Sequence, residues 1–251
     1  MGGHSHWAGI KHKKAIVDAK RGKAWTKIVR EITIAAKMGG SDPASNPRLR
    51  KAIDDAKAAN MPADNIKRAV MKGTGELPGA VYEELVYEGY APAGVAVLVE
   101  VTTDNRNRTG GEIGLIFSKN GGNKGEAGCV AWMFKPKSLL VIPRSAVKDE
   151  DTLISQALDL GADDVMTDSN DVYEIYGDPK SLEGLKTGLE AAKYPITAAE
   201  VTMKPENTVP VDENKAPQVL KLIEQLEEHD DVKNVYANFD IPDQILAKLG
   251  S

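Results

Sequence analysis

LLVI (residues 139–142), DTLISQALDL (151–160), VMT (165–167), VYEIY (172–176), LEGLKTGLEAA (182–192) and AAEVTM (198–203) follow one another along the chain. The short apolar runs are rich in Val, Ile and Tyr and are bounded by Gly, Pro, Asp and Asn, so they read as strands. The longer runs repeat their apolar residues at helical spacing and read as helices. The resulting order, β-α-β-β-α-β, is one complete split βαβ unit of the ferredoxin-like kind.

Outward from this unit the same alternation continues. Toward the amino terminus, Val81–Glu88 and Val95–Thr102 read as strands, Thr109–Ser118 as a helix and Cys129–Phe134 as a strand. Toward the carboxyl terminus, Thr208–Val211, a helix over Pro217–Glu228 and a strand over Val232–Phe239 form another βαβ. Joining the two flanks gives one α/β domain, 76–135 plus 205–251, interrupted by the unit at 136–204, with Pro136 and Pro205 at the crossings. The residues alone also permit three consecutive α/β pieces.

Residues 1–75 have a different texture. Trp25, Ile28, Val29, Ile32, Ala35 and Ala36 recur at helical spacing before Gly39-Gly40. Asn46-Pro47 opens a second helix with Leu49, Ile53 and Ala56, and Asn60-Met61-Pro62 leads into a third with Ile66, Ala69 and Val70, closed by Gly73. The expected fold class is therefore multidomain α and α+β. A small N-terminal helical domain precedes two ferredoxin-like α/β domains, one inserted into the other.

Charge divides the chain at the same boundary. The 251 residues carry a net charge of -5, yet residues 1–72 hold 16 Lys+Arg against 6 Asp+Glu, and the rest hold 16 against 31. A polyanion responds to the field within about a Debye length, so the average hides a strongly basic module. On the first full helix, Lys20, Lys23, Lys27, Arg30 and Lys37 fall opposite the apolar arc. With Lys11, Lys13, Lys14 and Arg21 this suits phosphate neutralisation. Arg106 and Arg108, in Thr103-Asp104-Asn105-Arg106-Asn107-Arg108-Thr109, lie beside the amino end of the next helix, where Thr109 can act as cap; they form a second candidate anion contact.

Other constellations are weaker. Trp132 and Phe134, two residues apart on the expected strand, share a face that suits core packing better than base stacking. The Gly121-Gly122-Asn123-Lys124-Gly125 loop is no P-loop, because no Gly-Lys-Ser/Thr follows at the required spacing. Gly2-Gly3-His4, if Met1 is removed, could hold copper(II) or nickel(II), but incidentally. No catalytic, cofactor or metal motif emerges. The lone Cys129 points to a reducing compartment, and no apolar run is long enough to span a membrane.

Several separated motifs resemble one family. They are Gly3-His4-Ser5-His6-Trp7 with Ile10-Lys11-His12-Lys13-Lys14, Asn60-Met61-Pro62 to Asn65-Ile66, Tyr87-Glu88-Gly89-Tyr90-Ala91-Pro92, Thr103–Thr109 and Trp132-Met133-Phe134. Together they look like the YebC/PmpR family. The resemblance spans essentially the whole chain; His6, Lys124 and Gly110-Gly111 depart from the usual pattern. It implies a helical first domain and two α/β domains, the second interrupted by the third. Bacterial members are described as transcriptional regulators that bind DNA, and others, including a mitochondrial relative, act in translation. The expectation is a cytoplasmic, non-enzymatic regulator whose partner is nucleic acid, either DNA or ribosomal RNA on the ribosome, where it would relieve stalling at difficult sequences. Neither a membrane nor a small-molecule substrate is expected.

Overall fold

The computed structural model describes residues 21–242 together with Ile245 and Leu246. Three helices come first: α1 (Arg21–Gly39), α2 (Pro47–Ala58) and α3 (Ala63–Thr74). Asn46 explains how α1 hands over to α2. Its side-chain oxygen caps α2 by accepting from the Leu49 amide at 3.1 Å, while its Nδ2 donates to the carbonyls of Ala35 and Gly40 at the end of α1. Pro47 stands at the first turn, where no amide hydrogen is needed. Gly75, in the left-handed region at φ 83°, ends α3. The three helices enclose their own core of Ile32, Ala35, Ala36, Leu49, Ala52, Ala56, Met61 and Ala69.

Gly73 lies at the α1–α3 contact because nothing larger fits. A Cβ there would stand 2.4 Å from the Thr33 carbonyl oxygen and 2.7 Å from the Ala36 Cβ. Gly73→Ala should therefore destabilise the helical region by about 1–3 kcal/mol through overpacking, outweighing alanine's better helix propensity. Thermal unfolding followed by circular dichroism checks this; an unchanged or raised midpoint would reject the close approach.

After the helices the chain forms β1 (Glu83–Ala91), β2 (Val95–Thr103), α4 (Arg106–Lys119) and β3 (Asn123–Lys124). It then makes a second layer from β4 (Phe134–Pro143), α5 (Glu150–Asp159), β5 (Ala162–Met166), β6 (Val172–Gly177), α6 (Leu182–Ala191) and β7 (Ala198–Pro205). It ends with β8 (Val209–Pro210), α7 (Ala216–Glu228), β9 (Val232–Ala237) and β10 (Phe239–Asp240). The first sheet runs β3-β1-β2-β9 and the second β5-β6-β4-β7, with every neighbouring pair antiparallel. The second sheet has the ferredoxin-like strand order. It lies between β3 and β9 in the chain, so one α/β layer is inserted into the other.

Strand β2 shows why its sequence is an almost unbroken apolar run. Val97, Val99 and Val101 face α4 and α7 in the main core, and Ala96 and Leu98 face Val130 and Phe134 in a second cluster on the opposite side. A strand covered on both faces has no polar alternation to show. The second layer buries Leu140, Ile142 and Ile175 under Leu153, Leu185 and Leu189. Pro136 is tolerated inside β4 because, between Phe134 and Lys137, that strand pairs only with β7.

Three sequence expectations need correction. Residues 129–134 are not a strand: Ala131–Met133 form a 3₁₀ turn and extended structure begins at Phe134. Trp132 and Phe134 consequently do not share a face, Trp132 being 62% exposed and Phe134 3%. The cause is Glu88, a buried carboxylate that accepts the amides of Gly128, Val130 and Ala131 at 2.6–2.7 Å and curls the backbone around itself. Next, Val209–Pro210 pairs in parallel with Phe239–Asp240 and does not join the main sheet. Finally, Asn105 and not Thr109 caps α4, accepting the Arg108 amide at 3.1 Å.

Candidate nucleic-acid interface

Lys11, Lys13, Lys14, Lys20 and the Gly2-Gly3-His4 terminus lie outside the described residues, and of Arg21 and Lys23 only the backbone in α1 is described. Lys27 and Arg30, one turn apart on α1, do not point to open solvent. Lys27 Nζ donates to the Glu227 carbonyl at 2.7 Å. Arg30 donates to the Asp230 carbonyl, pairs with the Asp231 carboxylate at 2.8 Å and lies over the Tyr82 ring. The cationic side of α1 therefore rests on the carboxyl-terminal end of α7, where carbonyl oxygens and the helix dipole favour positive charge.

Asp231 is the centre of this junction. It is 3% exposed, and its second oxygen accepts from Arg108 at 2.8 Å, Thr109 at 2.5 Å and Thr103 at 3.2 Å. Burial pushes its carboxyl upward, but the hydrogen bonds from Thr109 and Arg108 and the charges of Arg30 and Arg108 outweigh burial and hold it below its usual range. Arg108 also reaches Asp104 at 3.0 Å and Glu112 at 3.9 Å. Its guanidinium is therefore engaged within the fold.

A second bridge runs alongside. Glu31 pairs with Arg48 at 2.7 Å and with Lys233 at 2.9 Å, and Arg48 continues to Glu84 at 2.6 Å. Burial raises the Glu31 carboxyl, and Arg48 and Lys233 more than reverse this. No hydrophobic cluster of the described residues spans the helical region and the sheets; their buried cores are separate. A cavity of about 260 Å³ and a groove of about 570 Å³ flank the Arg30–Asp231 pair.

Of the second candidate pair, only Arg106 is exposed without a carboxylate partner among the described residues. Its carbonyl accepts the Tyr87 hydroxyl at 3.0 Å. Lys37, expected on the basic face of α1, is exposed, and the sequence reading missed a further group of cations, Arg50, Lys67, Arg68 and Lys72. All five are exposed, and none is ion-paired among the described residues. Nearby carboxylates are taken by other cations, Asp55 by Lys51 and Asp54 by Lys57. The charge count of residues 1–72 contained the signal, but attention to one helix face left α3 aside.

Glu112, His229 and Asp231 offer ligand atoms within 4.8 Å of one another. The proton positions argue against a metal there. His229 Nδ1 accepts the Asp231 amide at 3.1 Å, so the neutral ring carries its proton on Nε2 and donates it to Glu112 at 2.9 Å. A metal on Nε2 would require an imidazolate, beside two arginines already holding Asp231.

The fold and this charge distribution define a class: a cationic three-helix module carried on two nested antiparallel α/β layers through an ion-paired junction. Residues 5–76 match the family model described as the TACO1/YebC protein N-terminal domain, and residues 82–239 match the TACO1/YebC second and third domain. The chain belongs to the TACO1/YebC family. It is 57% identical over 249 residues to a "probable transcriptional regulatory protein" of Dictyoglomus turgidum, covering 99% of this chain and 100% of that one. A protein of the same description from Elusimicrobium minutum is 54% identical over 250 residues, with 99% of each chain covered. The crystal structure of a conserved hypothetical protein from Aquifex aeolicus superimposes with a TM-score of 0.83 at 51% identity, covering 96% of this chain and 99% of that chain.

Proposed function

We propose that the chain is a nucleic-acid-binding regulator of gene expression that acts on DNA in the cytoplasm and works by binding and not by catalysis. One observation carries the reading: the helical region leaves Lys37, Lys67, Arg68 and Lys72 exposed without carboxylate partners among the described residues. Such cations release counterions from a polyanion and bind it with little regard for sequence. Arg106 adds an exposed guanidinium on the α/β side, and Lys11, Lys13, Lys14, Lys20, Arg21 and Lys23 extend the positive charge of the amino-terminal segment. The relatives named as probable transcriptional regulatory proteins agree with this role.

Ribosomal RNA is the second reading, with the protein aiding translation on the ribosome. It is favoured by the character of the exposed set on α3, Lys67, Arg68 and Lys72, which suits phosphates and carries no pattern for base edges. The acidic sheets would then stay clear of RNA or face basic proteins. Among the described residues no helix is long and apolar enough to cross a membrane.

Replacing Lys67, Arg68 and Lys72 together by alanine should weaken binding to a duplex DNA and to a hairpin RNA at least tenfold at low salt. It should also reduce the slope of log affinity against log salt by about three. Fluorescence anisotropy over a salt series measures both, and an unaltered slope would remove α3 from the interface. Crosslinking in cells followed by sequencing separates the readings: promoter DNA without ribosomal RNA supports the first, and the reverse supports the second.

A further inference from the structure

The contact between α1 and the end of α7 has the features of an occupied phosphate site. Lys27 and Arg30 both donate to oxygens of this end: the carbonyls of Glu227 and Asp230 and the carboxylate of Asp231. Like the oxygens of a phosphate, these acceptors carry full or partial negative charge, and they are supplied by the acidic run Glu227-Glu228-His229-Asp230-Asp231. The fit is incomplete. Arg30 Nε is buried and makes no hydrogen bond among the described residues, although a guanidinium has five donors to place.

The packing around the contact is also unlike a permanent interface. Openings of about 260 and 570 Å³ lie on either side, whereas protein interiors are close-packed. Among the described residues, the helical region brings no buried apolar residue to the sheets' cores. The covalent connection from Gly75 to Tyr82 has no regular structure, and most of its residues are exposed. Pairs of this kind weaken with salt and with competing charge.

We propose that the acidic end of α7 is an intramolecular stand-in for nucleic-acid phosphate. It covers Lys27 and Arg30 in the closed arrangement, and a polyanion displaces it, so that the helical region swings away from the sheets on binding. This rests on the nucleic-acid reading above and adds the regulation of that site. The exposed cations of α3 make the first contact, and Lys27 and Arg30 become available only after release. Binding then has two parts: an open encounter, followed by an exchange of one anion for another.

The test uses the full chain with Cys129→Ser. Donor and acceptor dyes at Ala44→Cys and Lys221→Cys, both exposed, report separation of the helical region from α7 by energy transfer. Adding a 20-base-pair DNA or a hairpin RNA should lower the transfer efficiency by at least a third, in parallel with binding measured by anisotropy. A second variant, Glu31→Cys with Lys233→Cys, is closed by a short bismaleimide; these two residues bridge the junction and lie outside the proposed phosphate contacts. The closed form should bind either probe at least tenfold more weakly than the same protein before linking. Equal binding by linked and unlinked protein, or constant transfer while anisotropy rises, overturns the displacement and leaves nucleic-acid binding standing. Failure of every form to bind either probe overturns the underlying reading and the displacement with it.

Discussion

Asp231→Ala is expected to lower the free energy of unfolding by about 3–5 kcal/mol, the range for removing one partner of a buried ion pair. The carboxylate is 3% exposed and faces Arg30, Arg108, Thr103 and Thr109 together. Without it, the guanidinium of Arg30 keeps its partly buried position and loses its counter-charge, and two threonine hydroxyls lose their shared acceptor. Asp231→Asn should fall between wild type and alanine, since the amide keeps one acceptor and no charge. Urea unfolding followed by circular dichroism gives the number, and a loss below about 1 kcal/mol would show that the network is not acting as a unit. The folded Asp231 carboxyl lies below its ordinary value, as do those of Glu31 and Glu88. Their contribution is therefore complete above the unfolded carboxylate range of about 4 and is lost as pH falls through the lower folded values. Wild-type stability should decline below about pH 4, and Asp231→Ala should show a shallower decline.

The elements that the sequence made legible are those decided by local pattern. The run from Leu139 to Met203 alternates short β-rich and longer helical stretches, and the second sheet follows from it, although β4 begins at Phe134 and β5 at Ala162, five and three residues before the expected strands. The division of charge near residue 72 likewise coincides with the end of α3 at Thr74. What stayed hidden depends on residues far apart in the chain. A helical wheel places Lys27 and Arg30 on a cationic arc, but the oxygens they meet belong to residues 200 positions later. The wheel cannot say whether such an arc faces water or another layer. Thr109 looks like a helix cap, yet its hydroxyl is turned to Asp231, and Asn105 does the capping. Residues 129–134 look extended because Val130, Trp132 and Phe134 suit a strand; a carboxylate about 40 residues upstream bends them.

Glu88 supports the second large prediction. Its carboxylate, in a residue 6% exposed, accepts three hydrogen bonds from backbone amides, those of Gly128, Val130 and Ala131. Burial pushes this carboxyl up, and the three amides more than reverse the effect. Truncation in Glu88→Ala leaves three amide donors without an acceptor in a largely buried setting, where each such loss costs about 1–3 kcal/mol. Partial access of water to the loop lowers the sum, so an overall loss of about 3–5 kcal/mol is expected. Glu88→Gln should lose less, because one amide oxygen can still accept while its NH₂ group opposes a backbone donor. The loop itself offers a local readout: the Trp132 indole donates to the Cys129 carbonyl at 3.2 Å on the turn that Glu88 holds. Relaxation of that turn should alter Trp132 emission in Glu88→Ala under native conditions, with Trp25→Phe and a comparison to Trp132→Phe isolating its contribution. Loss of global stability with no change in Trp132 emission would mean that Glu88 stabilises the sheet without shaping the loop. A carboxylate with three converging amides predicts both changes together, because the same bonds that bury its charge also set the backbone angles of residues 128–131.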